Sequence, residues 1–193
     1  GVKRVIVGCT DPNPVVAGRG IRLLREKGLE VVAGVLRGEC ERQNEVFFHF
    51  MRTKLPFTVL KYAMTLDGKT ATVSGKSQWI TGEAARKRVH EDRGRYMAIL
   101  TGVSTVLADN PQLTCRIPGG KNPIRVIADT KLRTPLSSTV VQSARETPTW
   151  IVTAVSDTGR KKAYEDAGCR VLSVPAKEGE LDLQAMMQRL GEE

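Results

Sequence analysis

Apolar residues along this chain gather in short β-branched clusters, separated by longer stretches in which they recur every three or four positions. That alternation predicts strands interleaved with amphipathic helices, an α/β arrangement. Val5-Ile6-Val7 reads as a strand, followed by the turn-rich Asp11-Pro12-Asn13-Pro14 and the glycine-bearing Ala17-Gly18-Arg19-Gly20. Ile21, Leu23 and Leu24 place a helix ending near Gly28, and Leu29 to Leu36 forms the next strand candidate. Between Glu39 and Met51, the positions Cys40, Asn44, Phe47 and Met51 share one helical face. Lys54-Leu55-Pro56 ends that helix, so a domain boundary is expected near residue 52.

The remainder opens with a predicted strand over Phe57–Ala63 and a loop holding Leu66-Asp67-Gly68-Lys69 and Ser74-Gly75-Lys76-Ser77. Thr81 is placed to cap a helix over about 82–95, with acidic Glu83 in its first turn. Further strands are expected at Ala98–Leu100, Ile124–Ala128, Trp150–Val152 and Arg170–Val174, and helices at about 157–167 and 182–190. No internal repeat or low-complexity tract interrupts the pattern. The first 50 or so residues offer too little apolar surface to bury a core alone, so further chain is expected on both sides.

Charge narrows the partners. Thirty Lys and Arg against 21 Asp and Glu leave +9, which suits nucleic acid or a phosphorylated small molecule. The cations are dispersed in groups such as Arg86-Lys87-Arg88, and aromatics make up only 5%. Stacking platforms and basic tails are therefore missing, and nucleic acid is not the expected partner. No apolar stretch nears the roughly 20 residues of a membrane helix, and no secretory leader opens the chain. A cytoplasmic, non-membrane protein is the expectation. Cys9, Cys40, Cys115 and Cys169 are widely spaced, and neither His49 nor His90 adjoins a cysteine, so no metal site is expected in this chain.

Ligands in open α/β sheets gather at the carboxyl ends of strands. Those ends run into Thr101-Gly102-Val103-Ser104-Thr105, Asp129-Thr130 and Thr153-Ala154, small and hydroxyl-bearing. Such tips hold phosphate or ribose oxygens, although ordinary turns use the same residues. Neither a Gly-x-Gly-x-x-Gly fingerprint nor a complete Walker A loop is present. Arg86, Arg93 and Arg116 are candidates to grip an anion, and Trp79 either walls a planar ligand or anchors the core.

These residues assemble into recognisable motifs. Asp11-Pro12-Asn13-Pro14 with Val16-Ala17-Gly18-Arg19-Gly20 resembles the end of the deaminase domain in the bifunctional deaminase/reductases of riboflavin biosynthesis. Met51-Arg52-Thr53 resembles their interdomain junction. Leu66-Asp67-Gly68-Lys69, Ser77-Gln78-Trp79-Ile80-Thr81 and Thr105-Val106-Leu107-Ala108-Asp109-Asn110-Pro111 resemble their reductase motifs, in order. The resemblance implies that residues 1–51 are the C-terminal part of a cytidine-deaminase-like α/β domain. Residues 52–193 would be a dihydrofolate-reductase-like domain, incomplete at its C-terminus.

The activity so implied is NADPH-dependent reduction of the ribosyl group of a phosphorylated ribosylaminopyrimidine to a ribityl chain. By the same resemblance Ser77, Arg93, Leu113 and Arg116 contact substrate, the arginines nearest its phosphate. Ala63, Trp79, Thr105, Asp109 and Thr130 line the NADPH site. The zinc-binding deaminase motifs are absent and would lie upstream of Gly1; a glycine-rich nicotinamide-nucleotide segment would follow Glu193. Assembly as a homo-oligomer through the reductase domain is implied too. Lys76 stands where the family is usually acidic, Ser104 where glycine is common, and Asn110 where aspartate is common. The proton donor stays open between Lys61, Asp67 and water. Two rival readings are a same-fold reductase of another pterin-like or pyrimidine substrate, and a basic nucleic-acid-binding module.

Overall fold

Valine- and isoleucine-rich runs form strands here wherever the chain supplies a second edge to pair with. The computed structural model describes residues 1–193, in two units: Gly1–Val59 with Met187–Glu193, and Leu60–Met186.

In the first unit, β1 (Arg4–Val7) lies parallel to β2 (Glu30–Ala33), with Arg4 opposite Glu30. Their side chains meet at 2.7 Å on the surface. Helix α1 (Arg19–Glu26) connects the two strands. The turn after β1 is built by side chains: Asp11 Oδ1 accepts from the Asn13 amide at 2.8 Å, and Asn13 Oδ1 from Val15 at 3.0 Å. The single helix predicted over Glu39–Met51 is two, α2 (Arg37–Gln43) and α3 (Glu45–Thr53). Asn44 divides them at φ −111°, and its Nδ2 donates to the Cys40 carbonyl at 2.9 Å. A short amide side chain that competes for a helix carbonyl is poorly suited to a helix interior. Phe48 is the buried residue of α3, and Lys54, at φ 59°, ends it ahead of Pro56.

The strand expected over Phe57–Ala63 does not form; the segment belongs to none of the chain's eight strands. Alternating apolar residues show that a stretch can lie on a sheet, but its amides still need an accepting edge.

In the second unit the order is α4 (Glu83–Arg95), β3 (Ala98–Gly102), α5 (Val103–Asp109), β4 (Ile124–Ala128), α6 (Thr139–Gln142), β5 (Thr149–Thr153), α7 (Thr158–Asp166) and β6 (Arg170–Ser173). A short antiparallel hairpin, β7 (Ala176–Lys177) with β8 (Glu180–Leu181), precedes α8 (Leu183–Gly191). Helix α8 begins in this unit, and its residues from Met187 belong to the first. Strands β3, β4, β5 and β6 form one parallel sheet in that order. The α/β class expected from the alternation is present, and helices cover the sheet.

Its central strands are buried on both faces, as parallel sheets require: Arg125, Val126 and Ile127 in β4, and Ile151, Val152 and Thr153 in β5. Ile127 and Ile151 pack with Val106, Leu113, Leu132, Val140, Val141 and Tyr164. Thr81 does not cap α4. Gly82 holds that position in extended backbone, without a side-chain cap, and the Thr81 carbonyl instead accepts from Arg86 Nη1 at 2.5 Å.

Candidate functional site

Four parallel strands put four carboxyl ends on one sheet edge, at Gly102, Ala128, Thr153 and Ser173. The turn after β4 is fixed from beneath. Asp129 is fully buried, and its Oδ2 accepts from the Thr134 amide and hydroxyl, each at 2.7 Å. Tyr164 donates its hydroxyl to the Thr134 carbonyl at 2.7 Å, and Arg160 Nη2 donates to Lys131 O at 2.7 Å. Burial, and then the Asp129 charge, push the Tyr164 phenol above its ordinary value. Thr130 is thereby held at the tip. Its carbonyl accepts from the Ala154 amide at 3.2 Å, and its hydroxyl donates to Glu180 Oε2 at 3.0 Å.

Along the same edge, buried Val103 and Val106 seat α5 on the core. One turn apart on its other side, Thr105 and Asp109 are exposed, and their side chains make no hydrogen bond. Asn110 ends the helix at φ 40°, its Oδ1 accepting from the Thr139 amide at 2.8 Å. No side chain occupies the space beside the Gly102 Cα.

A second cluster forms where α4 meets the segment 112–116. Arg86, His90 and Arg93 stand at i, i+4 and i+7, one stripe of the helix. Arg93 Nη1 donates to the Thr114 carbonyl at 3.1 Å, while its Nε is buried without a partner. Cys115 Sγ donates to His90 O at 3.2 Å, and the Arg116 amide meets His90 Nδ1 at 3.2 Å. Burial, then repulsion from Arg116, lower the Arg93 pKa; burial, then Arg116 and Arg93, lower that of His90. No carboxylate pairs with Arg93 or Arg116. Leu113 is buried at φ 57°, a left-handed backbone that costs a branched residue about 1–2 kcal/mol. Packing of Leu113 in the core and the Arg125 Nη1 hydrogen bond to Gln112 O at 3.2 Å hold it there.

The fold therefore unites Arg93, Leu113 and Arg116. Trp79 reaches the same helix through Arg86, whose guanidinium sits 4.6 Å from its ring centroid. Ser77 and Ala63 are half-buried in the irregular stretch before α4, and the hydrogen bonds of the two arginines go to Thr114 and His90, to neither of these residues. Motif reading gave no binding role to His90 or Glu180 and named Asp129 only as part of a strand tip. His90 alone had a usable signal, one turn from Arg93 on the helix stripe. No three His, Cys, Asp or Glu side chains come together as metal ligands.

Residues 56–193 match the family model of the RibD C-terminal domain. The chain belongs to this family. Riboflavin biosynthesis protein RibD of Actinobacillus pleuropneumoniae is 50% identical over 192 residues, which cover 100% of this chain and 51% of that protein. RibD of Bacillus amyloliquefaciens is 52% identical over 163 residues, 84% of this chain and 44% of that protein. Among solved structures, a diaminohydroxyphosphoribosylaminopyrimidine deaminase/5-amino-6-(5-phosphoribosylamino)uracil reductase from Thermotoga maritima superposes with a TM-score of 0.80 at 37% identity, covering 100% of this chain and 51% of that one. The riboflavin biosynthesis reductase Rib7 of Saccharomyces cerevisiae, at 23% identity and TM-score 0.56 over 80% of this chain and 67% of its own, shares the fold. The chain spans about half the length of the RibD relatives it matches. The resemblance read from the motifs thus holds at the level of family and reductase-type α/β fold. No helix is long and apolar enough to cross a membrane.

Proposed function

We propose that this chain carries the reductase site of a bifunctional riboflavin-pathway protein, reducing the ribosyl group of 5-amino-6-(5-phosphoribosylamino)uracil to ribityl with NADPH. In this reading residues 52–193 are the reductase domain and residues 1–51 belong to the deaminase domain. The zinc-dependent deamination, the cytoplasmic setting and homo-oligomer formation through the reductase domain belong to the full-length protein. The observation that carries the reading is the Arg93–Arg116 pair: two guanidiniums beside one segment, without a carboxylate, one of them with a buried unpartnered Nε–H. A desolvated donor of that kind is satisfied best by an incoming anion, and a guanidinium fork matches phosphate.

Arg93 and Arg116 bind the substrate phosphate, with Ser77 and Leu113 completing its contacts. Ala63, Trp79, Thr105, Asp109 and Thr130 hold NADPH. The free Thr105 hydroxyl and Asp109 carboxylate, and the open space at Gly102, fit ribose hydroxyls and a close backbone approach. When bound, NADPH supplies the hydride. The chain's part is orientation: the rigid turn at Asp129 fixes Thr130, and phosphate anchoring fixes the far end of the substrate.

Steady-state kinetics of the full-length protein test the assignment. Arg93→Ala and Arg116→Ala should each raise the substrate KM by the equivalent of about 1–3 kcal/mol, with the KM for NADPH unchanged. Asp109→Ala should do the reverse. Wild-type substrate KM in both arginine variants would refute the phosphate assignment, and an equal effect of Asp109→Ala on both ligands would refute its cofactor role. The nucleic-acid alternative predicts steeply salt-dependent binding of duplex DNA without a response to NADPH, which parallel titrations at two salt concentrations distinguish.

A further inference from the structure

Arg116 offers two donors to one imidazole. Its backbone N–H lies 3.2 Å from His90 Nδ1, and its Nη2 lies 3.2 Å from His90 Nε2. A neutral imidazole has one lone pair for accepting and one N–H, so both contacts cannot be hydrogen bonds at the same time. The ring has two uncharged forms with different consequences. With the proton on Nδ1, Nε2 accepts from the guanidinium and keeps Arg116 folded against α4. With the proton on Nε2, Nδ1 accepts from the Arg116 amide, and the guanidinium faces an N–H that repels it.

The surroundings favour an uncharged ring. Arg93 and Arg116 are the charged groups that face it, and the adjoining Cys115 thiol donates to the His90 carbonyl. Glu91 and Asp92, next along α4, are paired with Arg88 at 3.8 and 3.2 Å. Burial and the two guanidiniums lower the imidazole pKa, outweighing the opposing hydrogen bond with the Thr114 backbone, so the neutral ring prevails at neutral pH.

Resting on the assignment of Arg116 to the substrate phosphate, we infer that His90 is the positioning residue for that arginine. Nε2 accepts from the guanidinium while the site is without an anion. When a phosphate oxygen takes over the guanidinium, the ring proton moves through solvent from Nδ1 to Nε2. Nδ1 then accepts from the Arg116 amide, so the segment stays in place while the side chain turns to the ligand. No proton is gained or lost overall.

The full-length protein provides the test. His90→Ala should raise the KM for the phosphorylated substrate about ten-fold, with kcat within about two-fold and the KM for NADPH unchanged. His90→Gln, whose Oε1 accepts but cannot be protonated in this range, should recover most of that loss. In wild type, the substrate KM should rise as pH falls through the imidazole pKa, because imidazolium accepts from neither donor. In His90→Gln only the rise due to the phosphate's own protonation should remain. Nitrogen NMR of the labelled imidazole, with inorganic phosphate as titrant, should show exchange from the Nδ1–H to the Nε2–H form. An unchanged KM in His90→Ala, failure of Gln to rescue, or one tautomer throughout the phosphate titration would overturn the inference. If Arg116→Ala also left the substrate KM unchanged, the phosphate assignment itself would fall; a defect in Arg116→Ala without one in His90→Ala would remove the role of His90 alone.

Discussion

Arg125 tests the energetics of the fold most sharply, because a cation lies fully buried in β4 without a carboxylate partner. Burial lowers its pKa, and hydrogen bonds replace an ion pair. Nη1 donates to Gln112 O at 3.2 Å and Ser143 Oγ at 2.8 Å; Nη2 donates to Val140 O at 3.0 Å, Ser143 O at 3.1 Å and Thr147 O at 2.7 Å. A lysine ammonium has three donors for these five acceptors, and its point geometry cannot span them. Val140 O and Thr147 O keep a second donor in the Thr149 hydroxyl, at 2.9 and 3.1 Å. Ser143 O keeps the Glu146 and Thr147 amides, at 3.1 and 3.0 Å, so the loss falls mainly on Gln112 O. At about 1–3 kcal/mol for a buried acceptor left unsatisfied, Arg125→Lys should destabilise the domain by about 1–3 kcal/mol, and Arg125→Met by at least as much. Urea unfolding followed through tryptophan fluorescence measures this directly. If either variant unfolds within about 0.5 kcal/mol of wild type, the guanidinium network contributes nothing net and the reasoning fails.

Two further outcomes follow from the turn at Gly168 and the buried thiol beside it. Gly168 sits at φ 100°, and a Cβ there would lie 2.7 Å from Arg145 Cγ, so Gly168→Ala should cost about 1–3 kcal/mol from backbone strain and overlap together; unchanged stability would refute this. Burial pushes the Cys169 thiol up to about 11 from an ordinary 9.0, so folding favours its protonated form. That contribution is intact below about pH 9 and is lost as pH rises toward 11, a fall of roughly 2–3 kcal/mol. It should be absent in Cys169→Ala, and alkylation of native protein at neutral pH should spare Cys169.

Much of this was legible in advance, for identifiable reasons. The central strands β4 and β5 are largely apolar runs, and burial on both faces of a parallel sheet produces that pattern. Phe57–Ala63 carries the same pattern without a partner edge, which one stretch of sequence does not reveal. The break at Asn44 depends on one side-chain hydrogen bond inside an otherwise regular helical face. Motif and charge name Arg93, Leu113 and Arg116 as the proposed substrate contacts. The left-handed backbone at Leu113, three residues before Arg116, is not foreseeable, since leucine carries no turn signal. His90 escaped because its role depends on a segment 26 residues away folding across α4.

The positive charge takes on a different meaning once each guanidinium is placed. Arg19, Arg25, Arg86, Arg93, Arg125, Arg145 and Arg160 all donate to main-chain carbonyls. Arg4, Arg37, Arg42, Arg52, Arg88 and Arg189 meet carboxylates. Most of these cations are committed to holding turns and helices, and a committed fork has few donors left for a nucleic-acid backbone. Seven of the 18 arginines thus staple main-chain carbonyls, which accounts for part of the +9 surplus. Arg116 stands apart, since its guanidinium contacts a neutral imidazole. That partner releases it more readily than a carboxylate would. On the proposed assignment, Arg93 is held in place through Thr114 O with its Nε–H unpartnered, and Arg116 is the side chain that turns to the phosphate.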